Sequence, residues 1–143
     1  MRIALYSKIA RRNIIKTRAE IEKLKIGYNY EDLRFYRNKI IQSDQDHEKQ
    51  HTLSLDFYSL ITFRDLLFHT QEHQFTIGEI REIIENYKLE FLNFIITDPL
   101  IKLKYLKNFP NDVMQNSLNN WEKFETDNPN IFNGMYQFWL KKN

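Results

Sequence analysis

The sequence predicts an α/β domain with three strands and about six helices. Short apolar runs at 3–6, 89–96 and 135–140 have the length of strands, and long segments with helical spacing separate them. Strand, helices, strand, helices, strand is an order with two long helical crossovers. It suits an α/β sheet better than a meander of hairpins. A sheet of three strands leaves its edges exposed.

Each element has its own signal. Ile3 to Tyr6 reads as a buried strand. Ser7 can cap the helix that follows, in which Ala10, Ile14, Thr17, Ile21 and Leu24 recur at spacings of four and three, ending before Gly27. Asn29 can cap a second helix with Tyr30, Leu33, Tyr36 or Arg37, and Ile40 on one side. Residues 43–52, "SDQDHEKQHT", are polar throughout and are expected to form an exposed loop. A third helix is expected over Ser59 to Phe68. Thr76 and Glu79 have the capping-box spacing, opening a helix through Ile80, Ile83, Ile84 and Tyr87. Asp98 followed by Pro99 is a cap with proline in the first turn. Asn111 to Glu125 carries Trp121 and reads as helix. Met135 to Leu140 is read as a strand buried on both faces, since Tyr136 and Phe138 point one way and Met135, Gln137 and Trp139 the other.

Bulk properties narrow the function. The 143 residues fit one domain with a real core, and 42% apolar and 15% aromatic residues favour folding over disorder. With 21 basic and 19 acidic residues, the charge gives no reason to expect nucleic acid or an acidic membrane surface as partner. The absence of cysteine rules out disulfides and thiolate chemistry and is compatible with a reducing, cytoplasmic setting. No window holds the ~18 apolar residues of a membrane helix.

Among motifs, "FHTQEHQF" (68–75) is the most pointed. His69, Glu72 and His73 stand in the order H-x-x-E-H, the inverted zinc-hydrolase signature. On a helix two imidazoles four apart would share a face. The cap at Thr76, three residues on, requires the preceding helix to end near the motif, and no third ligand stands out. Zinc is therefore not expected, and the two histidines read as polar loop residues or as groups facing a substrate. The basic residues Arg2, Lys8, Arg11, Arg12, Lys16 and Arg18 are followed closely by Glu20, Glu22, Glu31 and Asp32, which favours a solvated helix face over a phosphate stripe. Three glycines cannot build a Gly-rich nucleotide loop, and no G-x-S-x-G elbow exists.

The stretches "FRDLLFHTQEHQFTIGEI" (63–80) and "DNPNIFNGMYQFWLKK" (127–142) resemble the C-terminal part of a bacterial class I S-adenosylmethionine-dependent methyltransferase family whose members are often fused to tetratricopeptide repeats. "MRIALYSKIARRNIIKTRAEI" looks like that family's fifth strand and following helix. The resemblance implies a mixed sheet holding the last three strands of that fold: residues 3–6 as the fifth, 89–96 as the sixth, and 135–140 as the seventh, lying antiparallel between the other two. It places "HTQEHQF" near the methyl-acceptor cleft and makes Tyr6, Arg64, Asp65, His69, Glu72 and His73 the substrate-facing candidates. The family's cofactor site lies in its first four strands, so no cofactor-binding residue carries over and no catalytic residue is assigned. The expected function is the acceptor-side portion of such an enzyme, a gene fragment or split subunit, inactive alone. S-adenosylmethionine would bind only if another polypeptide supplies the missing half, and self-association is the other expected partner mode. The alternative is a non-enzymatic binding or structural module with a remnant of the fold.

Overall fold

In the computed structural model, which describes residues 1–69 and 71–142, the chain is α/β and folds as two compact units, residues 1–11 with 73–143 and residues 12–72. The elements in chain order are β1 (Arg2–Ser7), α1 (Arg12–Leu24), α2 (Tyr30–Gln42), α3 (Asp46–Lys49), α4 (Leu60–Leu67), β2 (Gln74–Phe75), α5 (Ile77–Asn86), β3 (Leu89–Phe94), α6 (Pro99–Asn108), α7 (Leu118–Asp127) and β4 (Met135–Lys142). Two 3-10 turns, Gln50–Leu53 and Leu55–Phe57, lie between α3 and α4.

The sheet belongs to the first unit. Its order is β2–β1–β4–β3, with β4 antiparallel to both β1 and β3 and β2 parallel to β1. The strand order 3–6, 135–140, 89–96 is the one expected, but the sheet has four strands rather than three. The extra strand is only two residues long, pairing Tyr6 with Gln74 and Ser7 with Phe75. Two residues in a loop carry no periodicity, so the sequence gives no sign of it.

One face of β4 is buried, not both. Tyr136, Phe138 and Leu140 are sealed, whereas Trp139 is 44% exposed and Met135 and Gln137 are half-buried. The buried face meets Ile77, Ile80 and Ile84 of α5, Tyr105 of α6, and Trp121 and Phe124 of α7. Tyr105 and Trp121 stack at 4.0 Å between ring centres, and Phe94 packs edge-on against Trp121 at 5.5 Å. Aromatic rings fill most of this core. Buried among them, the Glu125 carboxylate accepts from the Ser7 hydroxyl at 2.7 Å and from the Tyr136 hydroxyl at 2.9 and 2.8 Å.

Local signals hold at several boundaries. Thr76 and Glu79 form the capping box of α5, Asn29 caps α2, and Asp98 caps α6 ahead of Pro99. Others shift. Ser7 caps only a turn, accepting from the Ala10 amide at 3.0 Å, and α1 starts at Arg12. The helix expected from Asn111 begins at Leu118, capped by Ser117.

The second unit is helical. Ile21, Leu33, Tyr36, Ile40, Phe57, Phe63, Leu67 and Phe68 make its core. Here the expected exposed loop is replaced by structure: residues 46–53 form α3 and a 3-10 turn, and His47, Glu48 and His51 are buried. Three titratable side chains with one another as neighbours can be buried together, which polarity counted residue by residue does not foresee. No helix among the described residues is long and apolar enough to cross a membrane.

Candidate functional site: a cleft at the ends of α1 and α4

The helical unit carries a cleft of about 580 Å³ where the last turns of α1 meet the end of α4. Tyr28 and Phe68 give it an aromatic side, and Arg18, Glu72 and His69 give it polar ones. The cleft exists because both helices stop there. Lys25 adopts a left-handed backbone (φ 54°) after α1, and α4 ends at Leu67 as the chain turns through Phe68. Phe68 is held by rings on three sides, Tyr28 at 6.1 Å, Tyr36 at 6.2 Å and Phe63 at 6.0 Å.

Arg18 organises the polar side. Its guanidinium donates from Nε and Nη2 to the Leu66 carbonyl at 3.2 and 2.7 Å, and from Nη2 to Glu72 Oε2 at 3.0 Å. A cation on the last carbonyls of α4 also meets the negative end of that helix. The Glu72 side chain is 5% exposed, so its charge is compensated at close range by Arg18. His69 accepts from the Gln71 amide through Nδ1 at 3.3 Å. An imidazole nitrogen that accepts carries no proton, so the exposed Nε2 is left as a donor. The cleft therefore offers a flat apolar side for a planar group, a fixed ion pair and the Nε2–H of an exposed His69.

Of the six substrate-facing candidates, His69 and Glu72 line this cleft. Arg64 and Asp65 are exposed on α4 and contact each other at 3.5 Å. Tyr6 lies in β1 of the sheet unit, one residue before its end, its ring 4.3 Å below the Arg11 guanidinium carbon. His73 is exposed at the start of the sheet unit, just before β2. The H-x-x-E-H residues do not share a helix, because α4 ends at Leu67. The charge pattern of the sequence groups Arg18 with a solvated basic face, yet its side chain is only 16% exposed. Its place beside Thr17 and Ile21 on the buried side of α1 is the signal that singles it out.

A second polar cluster lies in the same unit and was missed. "HEKQH" (47–51) has the order H-E-x-x-H, the helical zinc-hydrolase signature. The helix needed to bring both imidazoles to one metal is absent, since α3 stops at Lys49. His51 Nε2 is engaged with the Thr17 hydroxyl at 2.8 Å. Burial, followed by the neighbouring His47, pushes His51 down to about 4, so it is neutral at physiological pH.

Comparison of the sequence with known protein families and with curated proteins finds no match.

Proposed function

We propose that this chain is the methyl-acceptor side of a class I S-adenosylmethionine-dependent methyltransferase-like protein, with the cofactor held by a polypeptide segment outside these 143 residues. The observation that carries this reading is the sheet: β4 lies between β1 and β3 and runs antiparallel to both. That is the arrangement implied for the fifth, seventh and sixth strands by the resemblance in residues 63–80 and 127–142. The cleft at α1 and α4, with its aromatic side and the Nε2 donor of His69, is the place for the acceptor. Arg18 fixes the local geometry by holding Glu72 and the end of α4 together.

Three measurements test it. By calorimetry the chain alone is expected to show no S-adenosylmethionine binding, because close approach to the cofactor needs a Gly-rich loop, which three scattered glycines cannot build. Co-expressed with a polypeptide carrying a Gly-rich strand–turn–helix, it gains cofactor binding. His69→Ala in that complex lowers methyl transfer without weakening cofactor binding. Micromolar binding by the chain alone would falsify the reading.

A further inference from the structure

Glu20 of α1 and His47 and Glu48 of α3 each offer one ligand atom, and these atoms all lie within 4.8 Å of one another. We infer that these three side chains form a binding site for a first-row divalent transition metal of the zinc or manganese class. One imidazole and two carboxylates are a donor set such ions accept. His47 Nε2 and Glu20 Oε1 are 3.1 Å apart. Bonds of ~2.1 Å to a tetrahedral metal put neighbouring ligand atoms about 3.4 Å apart, so this pair is already near its bound spacing. The wider separations close with small side-chain shifts.

The second observation is independent of the spacing. Glu48 is fully buried, and its Oε2 has no hydrogen-bond partner. Among the described residues its other oxygen meets only Lys39, at 3.5 Å. The Tyr36 hydroxyl, also fully buried, has no partner either, and it feels the charges of both Glu48 and Glu20. A sealed carboxylate with an orphan oxygen is costly, and two such atoms around one cluster mark an unfilled requirement. A metal supplies the Glu48 carboxylate with a partner inside the cluster. Access exists on two sides: the Glu20 side chain is 29% exposed, and a cleft bounded by Phe35, Lys39 and Gln45 opens onto Glu48.

His47 must change tautomer to bind. Lys16 Nζ lies 3.2 Å from His47 Nδ1 and can only donate, so Nδ1 accepts and the proton sits on Nε2, facing Glu20. On metal binding the proton leaves Nε2 and Nδ1 becomes protonated, with no net proton released, while Lys16 swings from the ring into water. Lys16 is exposed, so the swing is open to it. The site thus differs from the H-E-x-x-H scheme: Glu48 is a ligand, and His51 stays with Thr17.

The test is calorimetric titration of the chelator-treated, tag-free protein with zinc chloride, alongside Glu20→Gln, Glu48→Gln, Lys16→Met and His69→Ala. The wild type is expected to bind one equivalent and to melt at a higher temperature with zinc. Glu20→Gln, at a partly exposed position that leaves the fold intact by circular dichroism, should weaken binding roughly tenfold or more. Lys16→Met removes the competitor for His47 and should bind several-fold tighter, and His69→Ala should match the wild type. The inference is overturned by no saturable binding, which would leave a bridging water as the partner of Tyr36 and Glu48. Equal affinity in Glu20→Gln and wild type overturns it too, as does a Lys16→Met protein that binds no tighter.

Discussion

Two buried carboxylates in this chain are satisfied in opposite ways, and the difference sets what each residue will tolerate. Glu72 has a cation, Arg18. Arg18→Met takes that cation from a nearly sealed carboxylate and takes two bonds from the Leu66 carbonyl. Roughly 2 kcal/mol of stability should be lost, read from the urea midpoint. Glu125 is held by two hydroxyls, and burial raises its pKa although the bonds from Ser7 and Tyr136 pull the other way. A raised carboxyl binds protons more tightly folded than unfolded. Its contribution is therefore fully present below the ordinary carboxylate range and is lost as pH rises through the raised value. Glu125→Gln keeps the shape: its oxygen can accept from Ser7 and its amide can donate to Tyr136. It should abolish that loss, so its stability relative to wild type improves from acid to neutral pH. Glu125→Ala strands both hydroxyls beside a cavity and should cost ~3 kcal/mol at acid pH, and less at neutral pH where the wild type has lost the contribution of its raised carboxyl. Equal pH profiles for wild type and Glu125→Gln would show that the carboxyl titrates normally.

At the scale of elements, α5 rests on its cap. The Thr76 hydroxyl accepts from the Glu79 amide at 3.2 Å, and Glu79 accepts from the Thr76 amide at 2.7 Å, a bond that holds the Glu79 carboxyl below its usual range. Thr76→Ala should cost ~1 kcal/mol, measured by thermal or urea unfolding. This cap is written in four consecutive residues, which is why it was legible, as were those at Asn29 and Asp98 and the apolar spacing of α1 and α2. What was not legible needed a partner distant in sequence. Burial of His47, Glu48 and His51 depends on Lys16, Thr17, Glu20 and Tyr36 from other helices. The two-residue β2 exists only because β1 offers it an edge. Trp139 was expected inside because it is large and apolar, but its neighbours across the sheet are Arg2 and Asn93, and that face is open. The cleft was legible in half: His69 and Glu72 stood out, and Arg18 was lost among surface cations.

For the whole molecule the decisive feature is the outer edge of the sheet at β1. The Ser7 amide and the Met1 carbonyl bond across to β4, so the odd positions of β1 face inward along the ladder. The even positions, Arg2, Ala4 and Tyr6, turn their backbone groups outward, and β2 meets the strand only at Tyr6 and Ser7. Arg2 and Ala4 are left as a short template for another strand. Two positions allow few bonds, so β2 blunts the edge without closing it. A second copy can pair here antiparallel about a two-fold axis, adding contact between the open faces that carry Trp139. Such pairing brings the two Arg2 charges together, and that repulsion is screened by salt. Self-association is therefore expected to be weak, to grow with protein concentration and to strengthen as ionic strength rises. Ala4→Pro removes one outward N–H while leaving the bonds to β4 intact, and an edge strand tolerates proline at such a position. Light scattering across a concentration series should find the wild type associating and Ala4→Pro monomeric, with the far-ultraviolet spectrum unchanged. A polypeptide that supplies a neighbouring strand should suppress self-association by taking the same edge, and Ala4→Pro should weaken its binding too. A wild type that stays monomeric at all concentrations and binds no hydrophobic dye would mean β2 closes the edge, and the acceptor-side reading would lose its physical reason for a partner.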